Sequence, residues 1–122
     1  MDFKSSKSIF LQIAENMAHR ILEGQLKEGD RVPSLRDLAT EYEVNRNTLM
    51  RTYALLDEAG VFENRRGIGF FVSENAVAIL RERERKTFFA TDLPEFMQKV
   101  KLLQLTESDL SELLTLLKTP SK

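Results

Sequence analysis

The sequence predicts a mainly α-helical protein carrying one small antiparallel β-hairpin. Three stretches lead to that expectation. Residues 33–60 hold two short helical patterns almost back to back. Residues 61–72 hold a strand–turn–strand pattern with arginines at its tip. The chain beyond returns to helical spacing with apolar stripes.

Composition bounds the chemistry before any element is placed. A chain of 122 residues is one domain, or one small domain with an appendage, and its 42% hydrophobic content is ordinary for a soluble protein. It has no cysteine, which excludes disulfides and thiolate metal sites and fits a cytoplasmic location. Met1–Lys7 lacks a long apolar run, so no secretory signal is expected. No stretch approaches the ~20 apolar residues that span a membrane. The net charge of −1 is not the footprint of a strongly basic nucleic-acid binder. The acids are unevenly placed, however, and charge acts over a Debye length of about 8–10 Å, so one face can still be basic.

The first helix is expected to start at a Ser8 cap, with Phe10, Ile13, Ala14, Met17 and Ile21 as its inward stripe and Gly24 near its end. His19, the lone histidine, stands on it without a second ligand nearby in sequence and reads as a surface residue. Gly29-Asp30 makes a turn, and Arg31-Val32 is a short extended piece able to pair with the later strands. Pro33 stops that piece and admits a helix.

Ser34 and Asp37 form a capping-box-like start, and Leu35, Leu38, Ala39 and Tyr42 give this second helix one apolar face. Glu43-Val-Asn45 leaves room only for a tight turn, with Asn45 as the N-cap of the next helix. Leu49, Tyr53 and Leu56 mark its buried side, and Gly60 ends it. Arg46, Asn47, Met50, Arg51 and Ala54 fall on the opposite side. From Val44 to Leu56 there is no acid. A helix facing phosphates requires that, since a carboxylate there is repelled. Val61–Glu63 and Phe70–Val72 read as strands, with Asn64–Gly69 as the turn that carries Arg65, Arg66 and the permissive Gly67 and Gly69.

In the remainder, Ser73–Asn75 reads as a cap, Ala76, Val77, Ile79 and Leu80 as an apolar start, and Arg81–Lys86 as a solvated charge run. Phe88 and Phe89 come next, and Thr91–Pro94 is expected to break or kink the helix. Phe96, Val100 and Leu103 then share one side. Thr106 and Asp109 suggest another capping box, leading to a Leu110, Leu113, Leu114 and Leu117 stripe and a frayed end at Pro120–Lys122.

The motif Pro33-Ser-Leu-Arg-Asp-Leu-Ala39, then Val44-Asn-Arg-Asn-Thr-Leu49, then Tyr53 and the Leu56–Gly60 ending, resembles the DNA-binding domain of GntR-type winged helix-turn-helix transcription regulators. The resemblance runs from about Ser8 to Val72. The tail beyond Val72 is too short for the ligand-binding domains of the larger branches and is similar to the YtrA-like branch, which carries only a short helical dimerisation tail. The resemblance thus implies a winged helix-turn-helix domain over residues 1–73 and a helical dimerisation tail over 74–122. It implies a sequence-specific DNA-binding regulator, a repressor acting as a homodimer on a palindromic operator. The partners implied are double-stranded DNA and a second copy joined through the C-terminal helices, with no cofactor, no metal and no membrane. The resemblance also suggests control of transporter genes. It leaves the existence of a small-molecule effector open, and the tail has too few residues to enclose a pocket of ~300 Å³.

Candidate DNA-binding residues are Arg36, Asn45, Arg46, Asn47, Thr48, Arg51, Arg65, Arg66 and Gly67. Arg36 resembles the family's DNA-contacting arginine; the alternative is a surface ion pair with Asp37 or Glu41. Arg46 and Asn47 open the recognition helix, where arginine suits guanine and asparagine suits adenine. Thr48 and Arg51 suit phosphates. Met50 stands where some branches place an arginine, and it suits a thymine methyl. An enzyme is not expected: there is no cysteine nucleophile, no partner for His19, and Gly67-Ile-Gly69 sits in a hairpin rather than between a strand and a helix. The remaining alternative is a winged-helix protein-interaction module without specific DNA binding.

Overall fold

The computed structural model describes residues 8–118, which form two compact units, 8–83 and 84–118. In the first, α1 (Ile9–Leu22), α2 (Leu35–Tyr42) and α3 (Arg46–Glu58) precede β1 (Phe62–Arg65) and β2 (Gly69–Val72), and α4 (Ala76–Thr87) begins. The second holds the end of α4, a π-helical turn at Phe88–Asp92, α5 (Leu93–Leu102) and α6 (Glu107–Lys118). The mainly helical class with one two-stranded antiparallel hairpin is therefore as expected. No helix among the described residues is long and apolar enough to cross a membrane.

The core of the first unit is built from the predicted stripes. Ile13, Ala14, Met17 and Ile21 of α1 meet Leu38 and Ala39 of α2 and Leu49, Tyr53 and Leu56 of α3, with Val61, Phe62 and Val72 closing one side. Phe10, expected in that stripe, is only half-buried. Ser8 holds the N-cap position of α1 through its backbone carbonyl, which accepts from Leu11 and Gln12 at 3.2 and 3.1 Å; its hydroxyl makes no capping bond.

Turn chemistry sets the angle between α2 and α3. Glu43 adopts a left-handed conformation (φ 57°), and the Val44 amide donates back to the Ala39 carbonyl at 3.0 Å. Asn45 Oδ1 then accepts from the Thr48 amide at 2.9 Å and starts α3. At the far end Gly60 takes φ 85°, while Val61 N donates to Leu56 O at 2.9 Å and Gly60 N to Asp57 O at 3.0 Å. That double bond closes the last carbonyls of α3, and a left-handed residue is what permits it. Gly60 is thus the residue just past the cap, which is Ala59.

The hairpin is longer than the sequence suggested. Asn64 and Arg65 extend β1 and Gly69 extends β2, in a register pairing Phe62 with Val72 and Arg65 with Gly69. The turn shrinks to Arg66–Ile68, because the ladder continues until positive-φ Gly67 reverses the chain. Val61 is buried just before the strand rather than within it. Arg31 does pair with the hairpin, bridging to Phe71, and Val32 N donates to Phe70 O at 2.8 Å.

Asn75 holds the N-cap position of α4 as expected, its carbonyl accepting from the Ile79 amide at 2.9 Å, and Glu28 Oε2 adds a distant acceptor for the Val77 amide at 3.1 Å. Ala76 and Leu80 are buried in the core of the first unit, so that unit continues past residue 73 into α4. The helical run does not stop at Thr91–Pro94, but its α-helical pattern is interrupted there by the π-helical turn at Phe88–Asp92. Thr87, Asp92 and Leu93 keep right-handed helical angles through the π-helical turn, the Leu93 amide bonds the Phe88 carbonyl, and Pro94 follows in the first turn of α5.

In the second unit, the Asp109 amide donates to Thr106 Oγ1 at 3.2 Å and the Thr106 amide to Asp109 Oδ2 at 2.9 Å, the expected capping box. Val100 is buried. Phe96, Leu103, Leu113, Leu114 and Leu117 remain exposed, Leu117 at 81%. The end expected to fray at Pro120–Lys122 lies outside the described residues.

Candidate nucleic-acid interface

Helix α3 presents two contrasting sides. Leu49, Thr52, Tyr53 and Leu56 are buried, while Arg46, Asn47, Met50, Arg51 and Ala54 are exposed along the other side. Its orientation is fixed at three points. The buried Thr52 hydroxyl donates to Phe10 O at 2.9 Å, with Thr48 O at 3.2 Å as a second acceptor. The Tyr53 hydroxyl donates to Pro33 O. The Tyr53 ring meets Phe62 and Phe70 edge-on at 5.3 and 5.1 Å between centroids, locking helix to hairpin. Burial raises the Tyr53 phenol pKa well above its usual value, so it remains a donor throughout the ordinary pH range.

The candidate residues divide by how they are held. Arg46 and Asn47 lie exposed in the first turn of α3, with no acid in that turn. Asn45 and Thr48 are tied together: Asn45 Oδ1 accepts both the Thr48 amide and, at 3.2 Å, the Thr48 hydroxyl. What Asn45 has left to offer an anion is its amide nitrogen. The Arg51 guanidinium carbon lies over the Phe10 ring, 3.9 Å from the centroid. Such a contact leaves guanidinium N–H groups free to donate.

Arg36 is exposed in the first turn of α2 and has no ion-pair partner among the described residues. The alternative partner Glu41 is taken by Arg20, whose pKa is raised by that hydrogen bond.

On the hairpin the two arginines differ. Arg65 belongs to β1, its Nε donating to Glu63 Oε2 at 3.2 Å and its guanidinium 3.9 Å above the Phe71 ring. Arg66 and Gly67 lie exposed in the turn itself.

Sequence reasoning missed Arg31. Its Nη2 donates to Ile68 O at 2.6 Å, and a Cβ on Gly69 would stand 3.3 Å from its Nε and Nη2. Arg31 therefore braces the turn from the neighbouring extended piece, and Gly69 leaves the room for it. The pairing expected for Arg31-Val32 pointed to the backbone contact, but nothing local marked the side chain. His19 is exposed, and among the described residues no group of three or more His, Asp or Glu side chains stands ready to hold a metal.

The profile of the bacterial regulatory proteins of the gntR family matches residues 10–72. The chain is 37% identical to the HTH-type transcriptional regulator YhcF of Bacillus subtilis over 90% of this chain and 89% of that one. It is 42% identical to the HTH-type transcriptional repressor YtrA of the same organism, over 67% of this chain and 63% of YtrA. Among solved structures, a GntR family transcriptional regulator from Listeria monocytogenes superposes with a TM-score of 0.73 at 27% identity, covering 98% of this chain and 100% of that one.

Proposed function

The chain belongs to the gntR family of bacterial regulatory proteins, on its YtrA-like side, and from that premise we propose that it is a cytoplasmic repressor that binds a palindromic operator as a homodimer. The observation that carries the proposal is the exposed side of α3, where Arg46, Asn47, Met50 and Arg51 stand together without a single acid while the opposite side is locked into the core. Arg46 and Asn47 read base edges. Arg36, Asn45, Thr48 and Arg51 position the protein on phosphates, and Arg65 at the end of β1 with Arg66 and Gly67 of the turn lie against the neighbouring backbone. The repressor sign is supported by the relative YtrA, a repressor by name.

The dimer is supported by the second unit. Leu102, Leu103, Leu114 and Leu117 are exposed at 81, 64, 61 and 81%. A second copy of the same face is the cover we propose, which gives a two-fold interface and a two-fold operator. A gel-shift titration at two salt concentrations tests the reading: binding that falls steeply with salt yet prefers one sequence supports it. A chain that shifts no duplex, or shifts all alike, is a protein-interaction module or a non-specific binder instead.

A further inference from the structure

In the winged unit, three large apolar side chains stand exposed among the described residues: Ile9 at 49%, Met50 at 53% and Ile68 at 55%. Met50 alone of these lies on the recognition helix. It follows Arg46 by four residues and Asn47 by three and precedes Ala54 by four, so the four share one side of α3. Both bounding residues, Arg46 and Asn47, are polar groups suited to hydrogen-bonding base edges. Met50 offers them no donor and only a weak sulfur acceptor. Its unbranched, polarisable thioether adapts to irregular apolar surfaces. The edge of a base pair in the major groove displays one apolar group only, the C5-methyl of thymine.

We propose that Met50 is a specificity-determining residue that packs against a thymine C5-methyl, so that the operator carries a required thymine beside the bases contacted by Arg46 and Asn47. This rests on the DNA-binding reading above and adds to it a chemical identity at one position.

The test uses the full-length chain and a duplex selected by it from a randomised pool. Each thymine of that duplex is replaced singly by deoxyuridine, which removes the methyl group and leaves every hydrogen-bonding group in place. One thymine per half-site is expected to weaken binding about three- to fivefold when replaced, the equilibrium equivalent of one buried methyl group. Met50→Ala, and Met50→Gln with similar length but a polar end, bind the thymine and deoxyuridine duplexes alike. Because Met50 is exposed, both variants retain the fold, and circular dichroism verifies that. The inference is overturned if no thymine is sensitive, or if the sensitive thymine stays so in both variants. A chain that enriches no sequence from the pool overturns the DNA-binding reading and this inference with it.

Discussion

The hydroxyl of Tyr53, in the middle of α3, donates to the backbone carbonyl of Pro33 at the entry to α2. One side chain thereby ties the recognition helix to the start of the helix before it, while its ring holds Phe62 and Phe70 of the hairpin. The three elements that would meet DNA share this joint.

Removing only the hydroxyl should therefore have a small, separable effect. Tyr53→Phe keeps the ring contacts and loses one hydrogen bond, which costs about 0.5–1.5 kcal/mol. Tyr53→Ala also empties the core and should cost roughly 3–5 kcal/mol. Urea unfolding measures both; equal losses would mean that the hydrogen bond, not the ring, holds the joint.

The arginines should separate by role. Arg46→Ala is expected to cost about 1–3 kcal/mol of binding and to relax preference at one base position. Arg66→Ala should weaken all sequences evenly and lower the salt slope by about one unit. Arg65→Ala should lower it less, because Arg65 is already engaged by Glu63 and Phe71. Binding titrations across salt give all three slopes, and identical slopes for Arg65 and Arg66 variants would contradict the division.

Bracing of the hairpin turn is open to hydrogen exchange. Arg31→Met removes the bond to Ile68 O, so the amides of residues 66–69 should exchange faster while those of α1–α3 do not. Unchanged exchange in the turn would mean that Arg31 acts only as a charge.

Truncation should respect the buried part of α4. A chain cut after Arg83 keeps Ala76 and Leu80 and is expected to fold as a monomer that binds one half-site weakly. A chain cut after Val72 exposes the surface those two residues cover and should unfold at lower urea. Sedimentation and unfolding of both settle this; a dimer from the chain ending at Arg83 would place the interface elsewhere.

Locally encoded features were legible in the sequence. The Asn45 and Ser34 caps and the Thr106–Asp109 box depend on neighbours within one helical turn, and the buried side Leu49, Tyr53 and Leu56 follows from helical spacing along α3. Features built by distant partners were not. Glu28 reaches Val77 across 49 positions, and Arg31 reaches Ile68 across 37. Pro94 looked like a break because proline removes a donor, yet the chain stays helical through it, with a π-helical turn just before. The side of α3 that bears Arg46, Asn47, Met50 and Arg51 was legible from spacing alone. The contact of Arg51 with Phe10 was not, since the two belong to different helices.

Hydroxyl-radical footprinting of the full-length chain on its selected duplex tests the proposed dimeric, sequence-reading helix most directly. Two equally protected half-sites are expected, their centres about 10 base pairs or a multiple apart and related by two-fold symmetry. Arg46→Ala should weaken protection at both together. A single protected half-site, or protection that wanders with no preferred sequence, would contradict it.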